Sequence, residues 1–244
     1  MDFKERFYPE SKFGGFTDID GTIVFYLRVN SLINTSSTVL DFGCGMGAYG
    51  EDAVQLRREL RQFRGKAGKV IGVDLDRAAA SNPFVDEFRF LEDPGRWPLE
   101  DDSVNLCVCD SVLEHLENPD LFFSEARRVL KDGGYLCIRT PNALGYVALL
   151  SKLIPEGRHE KVLARAQPQR KEQDIFPAFY RANTRRKLMR SLIENGFDSV
   201  VYEYEAEPSY LSFSSFVYRL GVLYQRLSPK SVRSTLFSFA RVSK

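Results

Sequence analysis

The apolar residues of this chain cluster in short unbroken runs and do not alternate with polar ones. Residues 38–41, 69–74, 88–91, 104–109 and 135–140 are rich in Val, Ile, Leu and Cys and are bounded by Gly, Pro, Asn or Asp. Such runs predict strands buried on both faces. Between them, residues 22–33 and 48–63 carry apolar positions at helical spacing, the second with Val54, Leu56 and Leu60 inside and arginines outside. A further helix carries Leu113, Leu121, Phe122 and Val129, with Gly133-Gly134 predicted to end it. Residues 184–195 predict a helix capped by Thr184 and closed by Gly196. A sixth strand at 200–204, a helical stretch at 209–228 and a last edge strand at 236–242 complete the pattern. The order β-α-β-β-α-β argues for a parallel sheet covered on both faces.

Composition narrows the classes. With 43% apolar and 27% charged residues in 244, disordered, collagenous and coiled-coil chains are excluded. No uncharged run approaches the roughly 18–20 residues that cross a bilayer. The first residues are charged and lack an apolar stretch, so no secretion signal is expected and a cytoplasmic location is. Cys44, Cys107, Cys109 and Cys137 form no C-x-x-C pair and lie in or beside strands, which predicts reduced, buried thiols. The net charge of +1 hides an asymmetry: residues 208–244 hold Arg219, Arg226, Lys230, Arg233, Arg241 and Lys244 with no acid, leaving −5 on residues 1–207.

Candidate chemistry centres on V-L-D-F-G-C-G-M-G at 39–47. A strand running into G-x-G lets backbone N–H groups approach a ligand, and Gly43, Gly45 and Ala48 also satisfy the dinucleotide pattern G-x-G-x-x-A. Two acids separate the readings. Asp41, directly before the glycines, would repel a pyrophosphate but attract a cationic amino acid. Asp74 ends the second strand, where a carboxylate accepts both hydrogen bonds of a ribose diol. S-adenosylmethionine has a sulfonium, an ammonium and a free ribose, and suits both.

These residues, with V-I-G-V-D at 70–74, F-L-E-D-P-G-R-W-P-L at 90–99, D-S-V-N-L-C-V-C-D-S-V-L-E-H-L at 102–116 and R-V-L-K-D-G-G-Y-L at 128–136, resemble class I S-adenosylmethionine-dependent methyltransferases of the small-molecule type. The resemblance covers residues 36–140. It implies an α/β, Rossmann-like, doubly wound and mostly parallel sheet, with a helical and loop insertion and a C-terminal helical cover. It also implies S-adenosylmethionine as cofactor, with Asp74 on the ribose, Leu75 beside the adenine, Asp93 on the adenine amino group, and Gly43, Cys44 and Gly45 against the methionine end. Asp41 and Asp110 complete the candidate cofactor set. The expected divisions are a cover segment at 1–35, a cofactor-binding core at 36–140, a substrate-cover insertion at 141–183, and the end of the sheet with a basic aromatic tail at 184–244.

A hydroxyl acceptor needs a base, and only His115 and His159 offer an imidazole. Ser111-Val-Leu-Glu114-His115 is similar to the E-x-x-E-H metal motif of ubiquinone-pathway O-methyltransferases and small-RNA 2′-O-methyltransferases. Ser111 replaces its first glutamate, so no metal is expected; His115 is the candidate base, with a place in the cofactor-pocket wall as its alternative. The stretches at 13–26 and 176–184 resemble methyltransferases associated with bacterial surface-polysaccharide biosynthesis. On that side Tyr180 and Asn183 are candidates to hold a sugar, Arg181 to pair with a phosphate, and His159 to line the substrate site. The basic tail fits a membrane surface at the inner face or a lipid-linked saccharide, against the plainer alternative of a lid helix. No RRM, KH or zinc-knuckle signature supports RNA. The expected function is methyl transfer to a small-molecule or saccharide acceptor at oxygen. A quinone, a lipid headgroup, RNA, or a non-catalytic cofactor-binding scaffold are the alternatives, and a dehydrogenase is disfavoured by Asp41.

Overall fold

The computed structural model describes residues 3–153 and 177–244. Its sheet contains β1 (Thr38–Phe42), β2 (Lys69–Asp74), β3 (Glu87–Phe90), β4 (Val104–Asp110), β5 (Leu130–Pro141), β6 (Phe197–Tyr204) and β7 (Thr235–Val242). The spatial order is β3-β2-β1-β4-β5-β7-β6. β1 to β5 are parallel, and β7 runs antiparallel to both β5 and β6. The Rossmann-like, mostly parallel architecture read from the sequence is the one found.

Helices cover both faces, which is why the strands carry no in-out alternation. On one face α4 (Pro119–Val129) buries Phe122, Phe123, Ala126 and Val129, and Trp97 stacks on Phe42 with ring centroids 4.4 Å apart. On the other lies α2 (Gly21–Asn30), which follows the short α1 (Phe3–Phe7). Its Phe25 sits 5.4 Å from the rings of both Phe237 and Phe239. Asp20 caps α2 by accepting the N–H groups of Thr22 and Ile23 at 3.0 Å each. The remaining helices are α3 (Gln55–Arg61), α5 (Tyr146–Leu153), α6 (Arg185–Glu194) and α7 (Ser215–Leu227). Thr184 caps α6 as expected, and Gly196 follows at φ +73°.

Four local expectations are corrected. The strand at 236–242 is interior, hydrogen-bonded on both sides, and β6 is the edge; chain order does not reveal that a late strand inserts between earlier ones. The helix expected at 48–63 is broken into a 3-10 turn at Ala48–Glu51 and α3. At the break, Asp52 accepts the Val54 N–H at 2.9 Å, a local bond that competes with helix continuation. Likewise the helix after β4 is split: Leu113 lies in a 3-10 turn, Pro119 opens α4, and Leu121 points to solvent. Gly133-Gly134 does not cap α4, which ends at Val129; both glycines lie within β5, where the pairing with β4 shifts register.

Candidate active site

The carboxyl ends of β1, β2, β4 and β5 meet where the strand order reverses, and there a glycine turn leaves β1. Gly43, Gly45 and Gly47 have φ of +73°, +50° and +78°. Their backbone is fastened on both sides: Gly43 N–H donates to Val73 O at 2.8 Å, Gly45 N–H to Asp74 Oδ2 at 2.9 Å, and Asn82 Nδ2 donates to the carbonyls of Cys44 and Gly45 at 3.0 Å each. A Cβ on Gly43 would lie 2.3 Å from Val112 Cγ2, whereas one on Gly45 would meet nothing within 4 Å. The turn is therefore packed from behind and open in front. Cys44 takes part through its backbone only. Its side chain is buried beside Gly72, and burial pushes the thiol well above its ordinary range.

Asp41 faces this turn without a hydrogen bond or ion pair from any described residue. Burial, with Asp110 and Asp74 as lesser contributors and Arg61 in opposition, pushes its carboxyl up to about 7. Arg61, which sequence reading left on a solvated helix face, instead turns inward. Its guanidinium lies 4.7 Å from the Tyr49 ring centroid and 5.5 Å from that of Tyr26. Its Nε is buried with no hydrogen-bond partner among the described residues. No pattern in the sequence distinguishes Arg61 from its neighbours Arg57 and Arg58; only the packing of α3 does.

Across the turn, Asp74 closes β2 and accepts Asp76 N–H through Oδ1 at 2.9 Å as well as Gly45 N–H. Leu75 beside it is 52% exposed, an apolar surface open to a ligand. Asp93 stands on the exposed turn after β3, where its Oδ1 accepts Gly95 N–H at 2.8 Å and shapes the turn.

Asp110, expected in the cofactor set, is heavily engaged within the protein. Its carboxylate is consumed within the protein by Arg139 Nε and Nη2 at 2.6 Å each, by the Tyr26 hydroxyl at 2.8 Å, and by Arg61 at 3.7 Å. Burial alone would raise this carboxyl, but Arg139 and Arg61 more than offset it and hold it below the ordinary range. Asp110 is thus a positioning residue, locking α2 and β5 together behind the cradle. Arg139→Ala is expected to cost about 3–5 kcal/mol in urea unfolding, because it strands a buried carboxylate. Adding Asp110→Asn should recover most of the loss, and full stability in the single variant would refute the network's role.

Beside the cradle opens a cavity of about 330 Å³, between Asp20–Thr22 at the start of α2, the strand ends Arg139–Pro141, and the segment 205–210 after β6. Its wall includes Ser111, Arg57, Tyr146, Tyr210, Glu205 and Glu207. Glu205 accepts the Ser234 N–H and hydroxyl at 2.7 and 2.6 Å, and Glu207 accepts the Tyr218 hydroxyl at 2.7 Å. Burial raises both carboxyls. Two acids raised above their ordinary range beside hydroxyl-bearing walls are chemically able to receive a proton from an acceptor.

His115 does not line this cavity. Its Nδ1 lies 2.9 Å from the Pro177 carbonyl, which can only accept, so Nδ1 carries a proton; Nε2 is 3.9 Å from Glu114 Oε1. Tyr180 and Arg181 also stay outside the cavity wall, Tyr180 at φ +52° with its N–H on the Glu114 carbonyl. Asn183 is fully buried and donates to Thr140 Oγ1 and Pro141 O, so it braces β5 and does not reach an acceptor. His159 lies outside the described residues. Arg57, Glu205 and Glu207, which line the cavity, were not among the sequence candidates; they carry no motif, and the fold alone gathers them.

A strand-turn cradle at the reversal of a parallel sheet, with acids closing β1 and β2, defines a cofactor-binding α/β domain. Residues 40–138 match the family described as "Methyltransferase domain", so this part of the chain is similar to that family. Over 113 residues the sequence is 35% identical to a Mycolicibacterium smegmatis protein named "Probable S-adenosylmethionine-dependent methyltransferase", covering 44% of this chain and 39% of that relative. The chain thus spans well under half the length of this curated relative. An S-adenosylmethionine-dependent methyltransferase from Archaeoglobus fulgidus has the same fold, with 19% identity, a TM-score of 0.55, and coverage of 95% and 97% of the two chains. So does the [4+2]-cyclase SpnF, at 17% identity and a TM-score of 0.54 over 91% of this chain and 81% of that one. Because one fold serves a methyltransferase and a cyclase, the reaction must be argued from the site.

Proposed function

We propose that this chain transfers the methyl group of S-adenosylmethionine to an oxygen of a small hydroxylated acceptor, a saccharide being the leading class. The observation that carries the cofactor reading is the pair formed by Asp41 and Arg61 Nε: a carboxylate and a buried N–H, each without a partner among the described residues, beside a glycine turn with open space in front. The amino-acid end of the cofactor brings an ammonium for the first and a carboxylate for the second. In this reading Asp74 takes the ribose diol and exposed Leu75 lies against the adenine. When bound, the cofactor supplies a methyl carbon activated by its sulfonium. The residues of this chain then contribute position and water exclusion.

The acceptor reading rests on the adjoining cavity. Hydroxyls, carboxylates and the Tyr146 and Tyr210 rings suit a polyhydroxylated ring better than a flat apolar quinone. Asp20, Gly21 and Thr22 in its wall belong to the 13–26 stretch that resembles polysaccharide-pathway enzymes, which supports the same class. Glu207 and Glu205 are the groups nearest to hand for the hydroxyl proton.

Isothermal titration with S-adenosylmethionine and, separately, with NAD tests this reading. S-adenosylmethionine alone should bind, and Asp74→Ala should weaken binding at least about 100-fold, the worth of two charge-assisted hydrogen bonds, with the far-ultraviolet spectrum unchanged. NAD binding in its place, or unaltered affinity in the variant, would overturn the cofactor assignment.

A further inference from the structure

We propose that the outer face of α7 is a docking surface for an anionic lipid bilayer, a property independent of the methyl-transfer chemistry. Phe213, just before the helix, and Phe216, Leu220, Leu223 and Leu227 within it follow one another at intervals of three and four residues. They therefore share one stripe. In a chain buried by its own core that stripe would face inward. Here all five face solvent, 60%, 68%, 50%, 54% and 71% exposed in that order.

The helix cannot rotate to hide them. Its opposite face, formed by Tyr218, Gly221 and Val222, is buried. Tyr218 and Val222 pack with Tyr8, Phe7 and Ile19. Gly221 is in such close contact that a Cβ there would lie 2.7 Å from Leu211 and 2.8 Å from Pro208. A contiguous apolar row held outward by a packed inner face marks an interaction surface.

Charge selects the occupant. At about 100° per residue, Arg219 and Arg226 both fall along one border of the stripe, and both are exposed, as is Lys230 beyond the helix. The whole segment 208–244 holds six basic residues and no acid. A second copy of this chain would set these arginines against their own equivalents with no acid of the segment to pair them. Acidic headgroups over an apolar interior match an apolar stripe bordered by arginines. The helix is about 20 Å long, and among the described residues no helix is long and apolar enough to cross a membrane. α7 would therefore lie flat in the interface. Ser209 and Tyr210, in the wall of the acceptor cavity, lie a few residues ahead of the stripe, so docking would bring that cavity to the lipid surface.

The test is flotation of the full chain with vesicles of phosphatidylcholine, with and without phosphatidylglycerol. Binding is expected only to the anionic vesicles, falling as salt is raised. Leu220→Asn with Leu223→Asn should abolish it. Arg219→Gln with Arg226→Gln should weaken it about 25-fold, at roughly fivefold per lost charge. The exposed positions of these side chains predict parental melting temperatures for both variants. A parent chain that stays with neither vesicle would overturn the proposal. So would unchanged binding in the leucine variant. A dimer in solution that the leucine variant splits, without vesicle binding by the parent, would instead assign the face to self-association.

Discussion

Asp41→Asn is expected to weaken S-adenosylmethionine binding by about 10- to 100-fold at pH 7.5 while making the ligand-free chain more stable. The two effects share one cause. Asp41 is kept where its ionised form is disfavoured: its carboxyl is lifted from an ordinary 3.8 to about 7 in the folded chain, chiefly by burial. A folded-state value above the unfolded one means that ionisation opposes folding. The penalty is absent near pH 4, grows as pH rises toward 7, and is constant above it. The Asn variant escapes it, so its gain in melting temperature should be largest above pH 7 and vanish near pH 4. Binding runs the other way, because an ammonium pairs with the ionised form. Affinity in the parent should fall as pH drops below about 7, approaching tenfold per unit, and binding at pH 6 should release a proton. Titration calorimetry in two buffers of different ionisation heat reads that proton directly. A flat affinity profile between pH 8 and 6 would remove Asp41 from the cofactor site.

The second large effect is expected at Gly43, and it separates structural from ligand-facing glycines. Gly43→Ala meets two obstacles: a backbone at φ +73°, which an alanine resists by about 1–2 kcal/mol, and a Cβ 2.3 Å from Val112 Cγ2, whose relief costs about 1–3 kcal/mol more. A loss of roughly 2–5 kcal/mol in urea unfolding is expected, with cofactor binding lost alongside. Adding Val112→Ala should return the steric part and leave the backbone part. Gly45→Ala is the contrast. Its added methyl meets no atom within 4 Å, so it should bear only the backbone cost while intruding on the space in front of the turn. A stability loss limited to that backbone cost of about 1–2 kcal/mol, together with failed S-adenosylmethionine binding, is the expected pattern. If Gly45→Ala binds normally, the open side of the turn is not where the cofactor lies.

The candidate site was legible in the sequence where its geometry is local to the chain. Asp41, Gly43, Gly45 and Asp74 could be placed because a strand, a turn and a strand end fix their positions within a few residues. Their roles as acids and open backbone follow from residue type alone. The acceptor side was not legible in the same way. Arg57, Glu205 and Glu207 come from three distant segments and share no spacing. Tyr180, Arg181 and Asn183 looked suited to a sugar, yet Asn183 is fully buried with its amide nitrogen on Thr140 and Pro141, and the other two lie off the cavity wall.

Asp110 shows the same limit within the recognisable core. A carboxylate at the end of a strand reads as a ligand-binding group until Arg139 and Tyr26, 29 and 84 residues away, take its oxygens. Sequence by itself determined the strands, the order of α and β elements, the glycine turn and the acids flanking it, because each depends on short-range pattern and backbone conformation. Only the tertiary structure decided that β7 is interior, that Asp110 is satisfied, that Arg61 turns inward, and that an apolar row on α7 is left in solvent. Those outcomes depend on which distant surfaces meet, and burial and pairing are properties of that meeting.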